Sequence, residues 1–430
     1  MFNKASVLDV SQKILGAESS ERSGTVLFGK VLEKAFPSLS WKSLPAHGES
    51  TVYYVETKPE KKDIDLICYV NADTANPSQL SLWTETDFDP LLVTVKRGHI
   101  YGLGAAHDKV SLVAQLLALE EILKENTGLD KNILIAVGYG REFKMRGARR
   151  LLKEVVKQRK VHRVCVAHPT ESKVLYGSAG RLKTKVFFPF SEKEKALRKE
   201  HDLKENTSSQ SKVYSYIGGG ELKDNTVFQM IESCRYLPKG TLILDLDGGA
   251  ATITEPETTY FEVDSLPPFK DSMVLKFEHF GEKLLELDED LKGKFKSGRL
   301  ERAIHIGKCF DSDEGVTFFG FNLIPAYTSN QDLESWFEEF QKTVKTVGGE
   351  VMITDARSPY VNEERSGKEK EEHCLNVTEA SVFSKICKDV VILGAGKEGL
   401  AKKPNESISI EDLMNTCYSY KSLFVEVLKG

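Results

Sequence analysis

Ile64-Asp65-Leu66-Ile67-Cys68-Tyr69-Val70, closed by Asn71-Ala72-Asp73, is a short apolar run that ends in turn residues. Continuous apolarity over so few residues suits a strand buried on both faces, as in a parallel sheet. The pattern recurs at 132–138 (NILIAVG), 161–167 (VHRVCVA) and 389–394 (DVVILG). Between these runs lie segments of helical periodicity, at 109–125 and 145–158. Strands alternating with helices predict an α/β layer fold with a mostly parallel sheet.

The middle of the chain reads differently. Strand-like runs at 180–190, 240–247, 315–323 and 348–354 alternate with helical patterns at 221–235 and 329–346, in a β-α-β…β-α-β order. The charged stretches 191–212 and 280–303 read as exposed helix and loop, and as a charged amphipathic helix. The expected plan is a discontinuous α/β domain, residues 1–179 plus 358–430, interrupted by an inserted α+β domain at 180–357.

Composition narrows the class. The chain has 430 residues, 40% hydrophobic and 29% charged, enough for two domains with ordinary cores. A net charge of −5 with interleaved signs points away from nucleic acid and anionic membranes. No apolar run approaches the roughly 20 residues of a membrane helix, and the first residues show no apolar leader. The seven cysteines are scattered, with no C-x-x-C pair, so they predict neither a zinc ribbon nor a redox motif. A reducing cytoplasm is the expected location.

Several further motifs occur in a telling order: D-P-x-x-x-x-V-x-x-G-x-x-Y-G-x-G at 89–104, Met-Arg-Gly-Ala-Arg-Arg-Leu at 145–151 and His-Pro-Thr at 168–170. Thr-Glu-Ala-Ser-Val-Phe at 378–383 and Lys-Pro-Asn-Glu at 403–406 complete them. From about residue 50 onward the chain resembles the acetylornithine deacetylase, succinyl-diaminopimelate desuccinylase and aminoacylase family of zinc peptidases and amidohydrolases. The resemblance implies a zinc-peptidase-like three-layer sandwich carrying a ferredoxin-like lid and dimerisation domain. It also implies two zinc ions about a bridging carboxylate.

The family's functional positions, carried over one at a time, are mostly substituted. Its H-x-D motif is matched by Asn71-Ala72-Asp73, so the histidine ligand is lost and Asp73 remains. The bridging aspartate's place is taken by His107, with Asp108 as its neighbour. The adjacent glutamates, general base then ligand, correspond to Arg141 and Glu142. The carboxylate before Pro-Thr corresponds to His168, and the last metal histidine to Lys402. The arginine that holds a substrate carboxylate corresponds to Asn322.

Arginine cannot take a proton from a zinc-bound water, because its pKa exceeds 12. Arg141 and Lys402 would also repel two dications unless pairing neutralised them. The expectation is therefore no metal and no cofactor. Arg141 and Lys402 would supply the positive charge in a polar network with Glu142 and Asp73, in a homologue kept for binding a small-molecule or protein ligand. The alternative is a divergent hydrolase of amide or peptide bonds, with one zinc or other divalent transition metal held by His107, Glu142 and His168. A homodimer through the inserted domain is the expected assembly.

Overall fold

The computed structural model describes residues 2–20, 23–77, 80–125, 130–141, 144–204, 212–217, 222, 225–249, 258–293, 303–326, 328, 330–365 and 373–429. Two compact units emerge. One comprises Met1–Ser178, Tyr360–Cys374 and Thr378–Gly430; the other comprises Ala179–Pro359 with Leu375–Val377.

The first unit is built on a sheet whose strands lie in the order Lys42–Ser43, Tyr53–Glu56, Ile133–Gly138, Ile64–Asn71, Val161–Val166, Val390–Ile392. The last four run parallel, and the first two are antiparallel additions at one edge. Cys68 sits opposite both Ile135 and Cys165, in the middle of the sheet. Successive side chains of a strand point to opposite faces, and both faces here are covered. Leu66, Cys68 and Val70 join a core with the helices Lys4–Leu15, Asp108–Glu125 and Ile410–Lys429. Tyr69, on the other face, meets Phe383 of the Ala380–Phe383 helix at a ring distance of 5.3 Å. The result is a three-layer α/β sandwich with a largely parallel sheet.

The Asp108–Glu125 helix is buried nearly all round, from Val110 and Leu112 to Leu119 and Ile122. A helix apolar on every side must lie inside, and this one is roofed by Ile410–Lys429. Gln115 Nε2 donates to the Tyr420 hydroxyl at 3.1 Å, and that hydroxyl donates to the Leu393 carbonyl at 2.5 Å. The Gln115 amide nitrogen and the Tyr420 hydroxyl are thereby paired inside this layer. The helical pattern at 145–158 is shorter than its periodicity suggests. The α-helix is Arg146–Leu151, and a wide π-turn at Leu152–Val156 ends it before Lys157, which has φ 53°.

The second unit carries seven strands, in the order Lys212–Ile217, Thr258–Ser265, Thr241–Gly248, Ile304–Ser312, Gly315–Ile324, Gly180–Pro189, Glu350–Arg357. Every pairing is antiparallel. Glu192–Lys204, Thr226–Ser233, Met273–Gly293 and Asn330–Thr346 are its α-helices, and Thr226–Ser233 and Met273–Gly293 join Phe188, Phe261 and Phe318 in one apolar core. The sheet is broader than the four strands of a ferredoxin-like plan. Three strands, at 212–217, 258–265 and 304–312, are missing from the sequence reading. Their alternation of apolar residues with charges such as Glu262, Asp264, Lys308 and Asp311 resembles that of a solvated segment. The charged helix expected at 280–303 begins earlier, at Met273, and is described to Gly293.

Candidate functional site: a buried arginine among carboxylates

Parallel strands deliver their C-terminal ends to one edge of the sheet, and that edge is where sites form in such folds. Asn71 ends one strand, Arg141 follows Ile133–Gly138, and His168 follows Val161–Val166. Gly394 follows the fourth strand, Val390–Ile392, and its lack of a side chain matters. A Cβ there would lie 2.2 Å from the His168 carbonyl oxygen, so only glycine lets the two turns pack. Two helix N-termini complete the ring: Asp108 is the first residue of Asp108–Glu125, and Glu379 immediately precedes Ala380–Phe383.

The Arg141 guanidinium lies at the centre. Nη2 donates to Asp108 Oδ2 at 2.6 Å and to the Ala167 carbonyl at 3.1 Å. Nη1 donates to Asp108 Oδ1 at 3.3 Å and to His168 Nδ1 at 3.2 Å. Nε donates to both Glu379 oxygens, at 3.1 and 3.0 Å. Glu379 also accepts from Asn71 Nδ2 at 2.7 Å, and the Asn71 Oδ1 lies 3.3 Å from the Tyr69 hydroxyl. Arg141, Asp108, Glu379, Asn71 and His168 are all buried.

The electrostatics follow from burial and these partners. Burial works against the Arg141 charge, but Asp108 and Glu379 outweigh it and hold the guanidinium more firmly protonated than a free arginine. Burial raises the Asp108 carboxyl, yet Arg141 and the two histidines more than offset this and leave it below its ordinary value. His107 is pushed down to about 3 by burial, aided by Arg141, Lys402 and His168 and opposed by Asp108. His107 is thus neutral at physiological pH, with Nδ1 3.4 Å from Asp108 Oδ1. An arginine can only donate, so His168 Nδ1 is an acceptor. Its ring proton is therefore assigned to Nε2, which faces Glu398 Oε1 at 3.3 Å.

The sequence-derived positions divide in this frame. Asn71, His107, Arg141 and His168 come together. Asp73 stands at the margin, where its Oδ2 accepts the Gly140 N–H at 2.8 Å and burial raises its carboxyl to about 7. Glu142 lies outside the described residues. Lys402 is exposed and has φ 63°, its backbone N–H donating to Glu406 Oε1 at 2.8 Å. Asn322 belongs to the second unit. It is paired across the sheet with Leu182 and Ile304, both core residues, so its side chain lies on the core face. Its buried Nδ2 has no hydrogen-bond partner among the described residues.

Two corrections follow. Among the described residues the carboxylates that hydrogen-bond Arg141 are Asp108 and Glu379, where the sequence reading offered Glu142, which lies outside them, and Asp73. Asp108 is therefore a member of the network and not a bystander to His107. Glu379, part of the Thr-Glu-Ala-Ser-Val-Phe motif, was not assigned a role from sequence; its only local signal is a carboxylate just ahead of a helix.

Glu406, the last residue of the Lys-Pro-Asn-Glu motif, is a further buried carboxylate. It accepts the N–H groups of Gly104 at 2.9 Å and Ala106 at 3.3 Å through Oε2. With the Lys402 bond, it ties the loop before His107 to the loop after Leu400. Burial raises its carboxyl to about 7 against these three donors.

A dinuclear metal centre does not fit this arrangement, because a permanent cation already occupies the middle of the carboxylates. A single ion has a donor set: ligand atoms of His107, Asp108 and His168 lie within 4.8 Å of one another. Such an ion would share Asp108 and His168 with Arg141.

The comparisons with known proteins agree with this fold. The solved structure of human carnosine dipeptidase 1 aligns with a TM-score of 0.58 at 13% identity, covering 99% of this chain and 97% of that one. The dipeptidase Dug1p from Saccharomyces cerevisiae gives 0.58 at 12% identity, covering 99% and 96%. The M20 family metallo-carboxypeptidase Sso-CP2 from Sulfolobus solfataricus gives 0.55 at 16% identity, covering 100% and 99%. No curated protein sequence matches the chain. Among the described residues, no helix is long and apolar enough to cross a membrane. The profile of peptidase family M20/M25/M40 matches residues 69–426, and on that match the chain belongs to this family.

Proposed function

We propose that this chain is an M20-family homologue that does not hydrolyse amide or peptide bonds and is kept for binding a ligand or partner. One observation carries the reading: the five N–H donors of a guanidinium all have acceptors in Asp108, Glu379, His168 and Ala167. Arg141 thus stands in for metal charge, has no donor left for a substrate, and cannot serve as a base. No metal or other cofactor is required by this reading. The seven buried cysteines support a reducing, cytoplasmic setting. The narrower likeness to deacetylases, desuccinylases and aminoacylases rests on the motifs and belongs to the same proposal.

A second reading is favoured by the convergence of His107, Asp108 and His168. In it the chain is a divergent hydrolase holding one transition-metal ion there, with Asp108 added to the set read from sequence. The deciding experiment assays purified protein on dipeptides and N-acyl amino acids, with and without zinc or cobalt. Turnover at background level under all conditions is expected. Metal-dependent turnover that is lost in Asp108→Ala would overturn the main reading in favour of the second.

A further inference from the structure

Beside the arginine network lies a different donor set. Ligand atoms of His168, Cys374 and Glu398 lie within 4.8 Å of one another. We infer that these three side chains form a binding site for one thiophilic divalent ion such as zinc, separate from the positions occupied by Arg141 and Asp108. This goes beyond the reading of the chain as non-hydrolytic and does not depend on it.

The three residues come from well-separated parts of the sequence and are fixed independently. His168 follows its strand under Gly394, and Cys374 is anchored by its N–H to the Gly177 carbonyl at 2.8 Å, in a bridge beside Ser178. Glu398 opens the 3₁₀ turn Glu398–Leu400. His168 and Cys374 are each 3% exposed, while the Glu398 side chain is 31% exposed. Two ligands are thus held inside, and the third faces the route by which an ion and a coordinating water arrive.

Zinc bonds of about 2.0 Å to nitrogen and 2.3 Å to sulfur place tetrahedral ligands roughly 3.5 Å apart. The three side chains need only a small inward movement to reach that spacing. A thiolate and a carboxylate balance a dication, and the thiolate selects zinc, cobalt or cadmium over magnesium or calcium. On binding, the Cys374 thiol proton leaves to solvent. The ring proton of His168 moves from Nε2 to Nδ1, and Arg141 Nη1 keeps only its Asp108 bond. The ion therefore occupies the gap between His168 and Glu398 and leaves the Arg141–Asp108–Glu379 pairing in place.

Cobalt(II) titration of chelator-treated full-length protein tests the site. One equivalent is expected to bind, with a near-ultraviolet thiolate-to-cobalt charge-transfer band. Cys374→Ser should abolish that band and weaken zinc affinity at least tenfold, whereas His107→Ala should leave both unchanged. If Cys374→Ser fails to fold, Glu398→Gln provides the same check through an at least tenfold loss of zinc affinity. No stoichiometric binding, cobalt spectra without a thiolate band, or a band that survives Cys374→Ser would overturn the inference. So would binding that is lost in His107→Ala and retained in Glu398→Gln.

Discussion

Arg141 meets Asp108 edge to edge, with Nη2 2.6 Å from Oδ2 and Nη1 3.3 Å from Oδ1. Such a planar two-point bond is the geometry that distinguishes arginine from lysine. Its position at the floor of the parallel sheet makes the chain's charge balance depend on one side chain.

Asp108→Asn should therefore destabilise the protein by about 3–5 kcal/mol, the scale on which a buried pair loses one partner. The double variant Arg141→Met/Asp108→Asn should be less destabilised than the sum of its parts. Urea unfolding midpoints of the three variants give the coupling. A single-variant effect below about 0.5 kcal/mol, the range of ordinary surface substitutions, would show that the pair does not hold the site.

Glu379→Gln should cost about 1–3 kcal/mol, because it removes a charged acceptor from Arg141 and Asn71 together. Asp73→Asn should cost less, since Asp73 accepts a backbone N–H where Glu379 accepts from the guanidinium. Thermal melting of both variants ranks them, and the reverse order would return Asp73 to the centre of the network.

Glu406 gives a pH signature. Burial raises its folded carboxyl to about 7, above the ordinary glutamate value of 4.5, so the folded state holds a proton that the unfolded state has released. The stabilisation is fully present below about 4.5 and is lost as pH rises through about 7. His107, lowered from 6.5 to about 3, acts in the opposite sense over that lower interval. The clean comparison is thus between the native chain and Glu406→Gln from pH 5.5 to 7.5. The native chain should lose more melting temperature over that range; equal losses would remove Glu406 as the titrating group.

We also propose a two-fold homodimer through the second unit. Glu350–Arg357 is an edge strand, paired on one side with Gly180–Pro189. It exposes Met352 at 60% and Ile353 at 40%, and an apolar edge of this kind invites a partner. Light scattering should give twice the 48.1 kDa chain mass, and Thr354→Pro should halve it. A monomer at micromolar concentration would dismiss the proposal.

Much of the sandwich was legible because buried parallel strands and the Asp108–Glu125 helix carry continuous apolar runs that few other structures tolerate. The antiparallel sheet of the second unit was only partly legible. Strands such as Thr258–Ser265 place a polar or charged residue at every other position, and only pairing distinguishes them from loops. Within the site, aligned motifs led to Asn71, His107, Arg141 and His168. Glu379 escaped notice because its partner lies 238 residues away in sequence, and no local pattern encodes that distance. Asp108 escaped for the opposite reason: its neighbour His107 held the aligned position, and adjacency in sequence says nothing about which side chain turns inward.

The same separation governs the order in which the molecule can be completed. During synthesis Arg141 and Asp108 emerge long before Glu379, and the strand Val390–Ile392 arrives later still. At about 5–20 residues per second, a ribosome needs some tens of seconds to bridge that interval. Throughout it, the edge of Val161–Val166 is open and the arginine lacks the Glu379 carboxylate. The nascent chain is therefore most exposed to mispairing and chaperone capture while the second unit is being made, and its last seventy or so residues act as the clasp that closes the first.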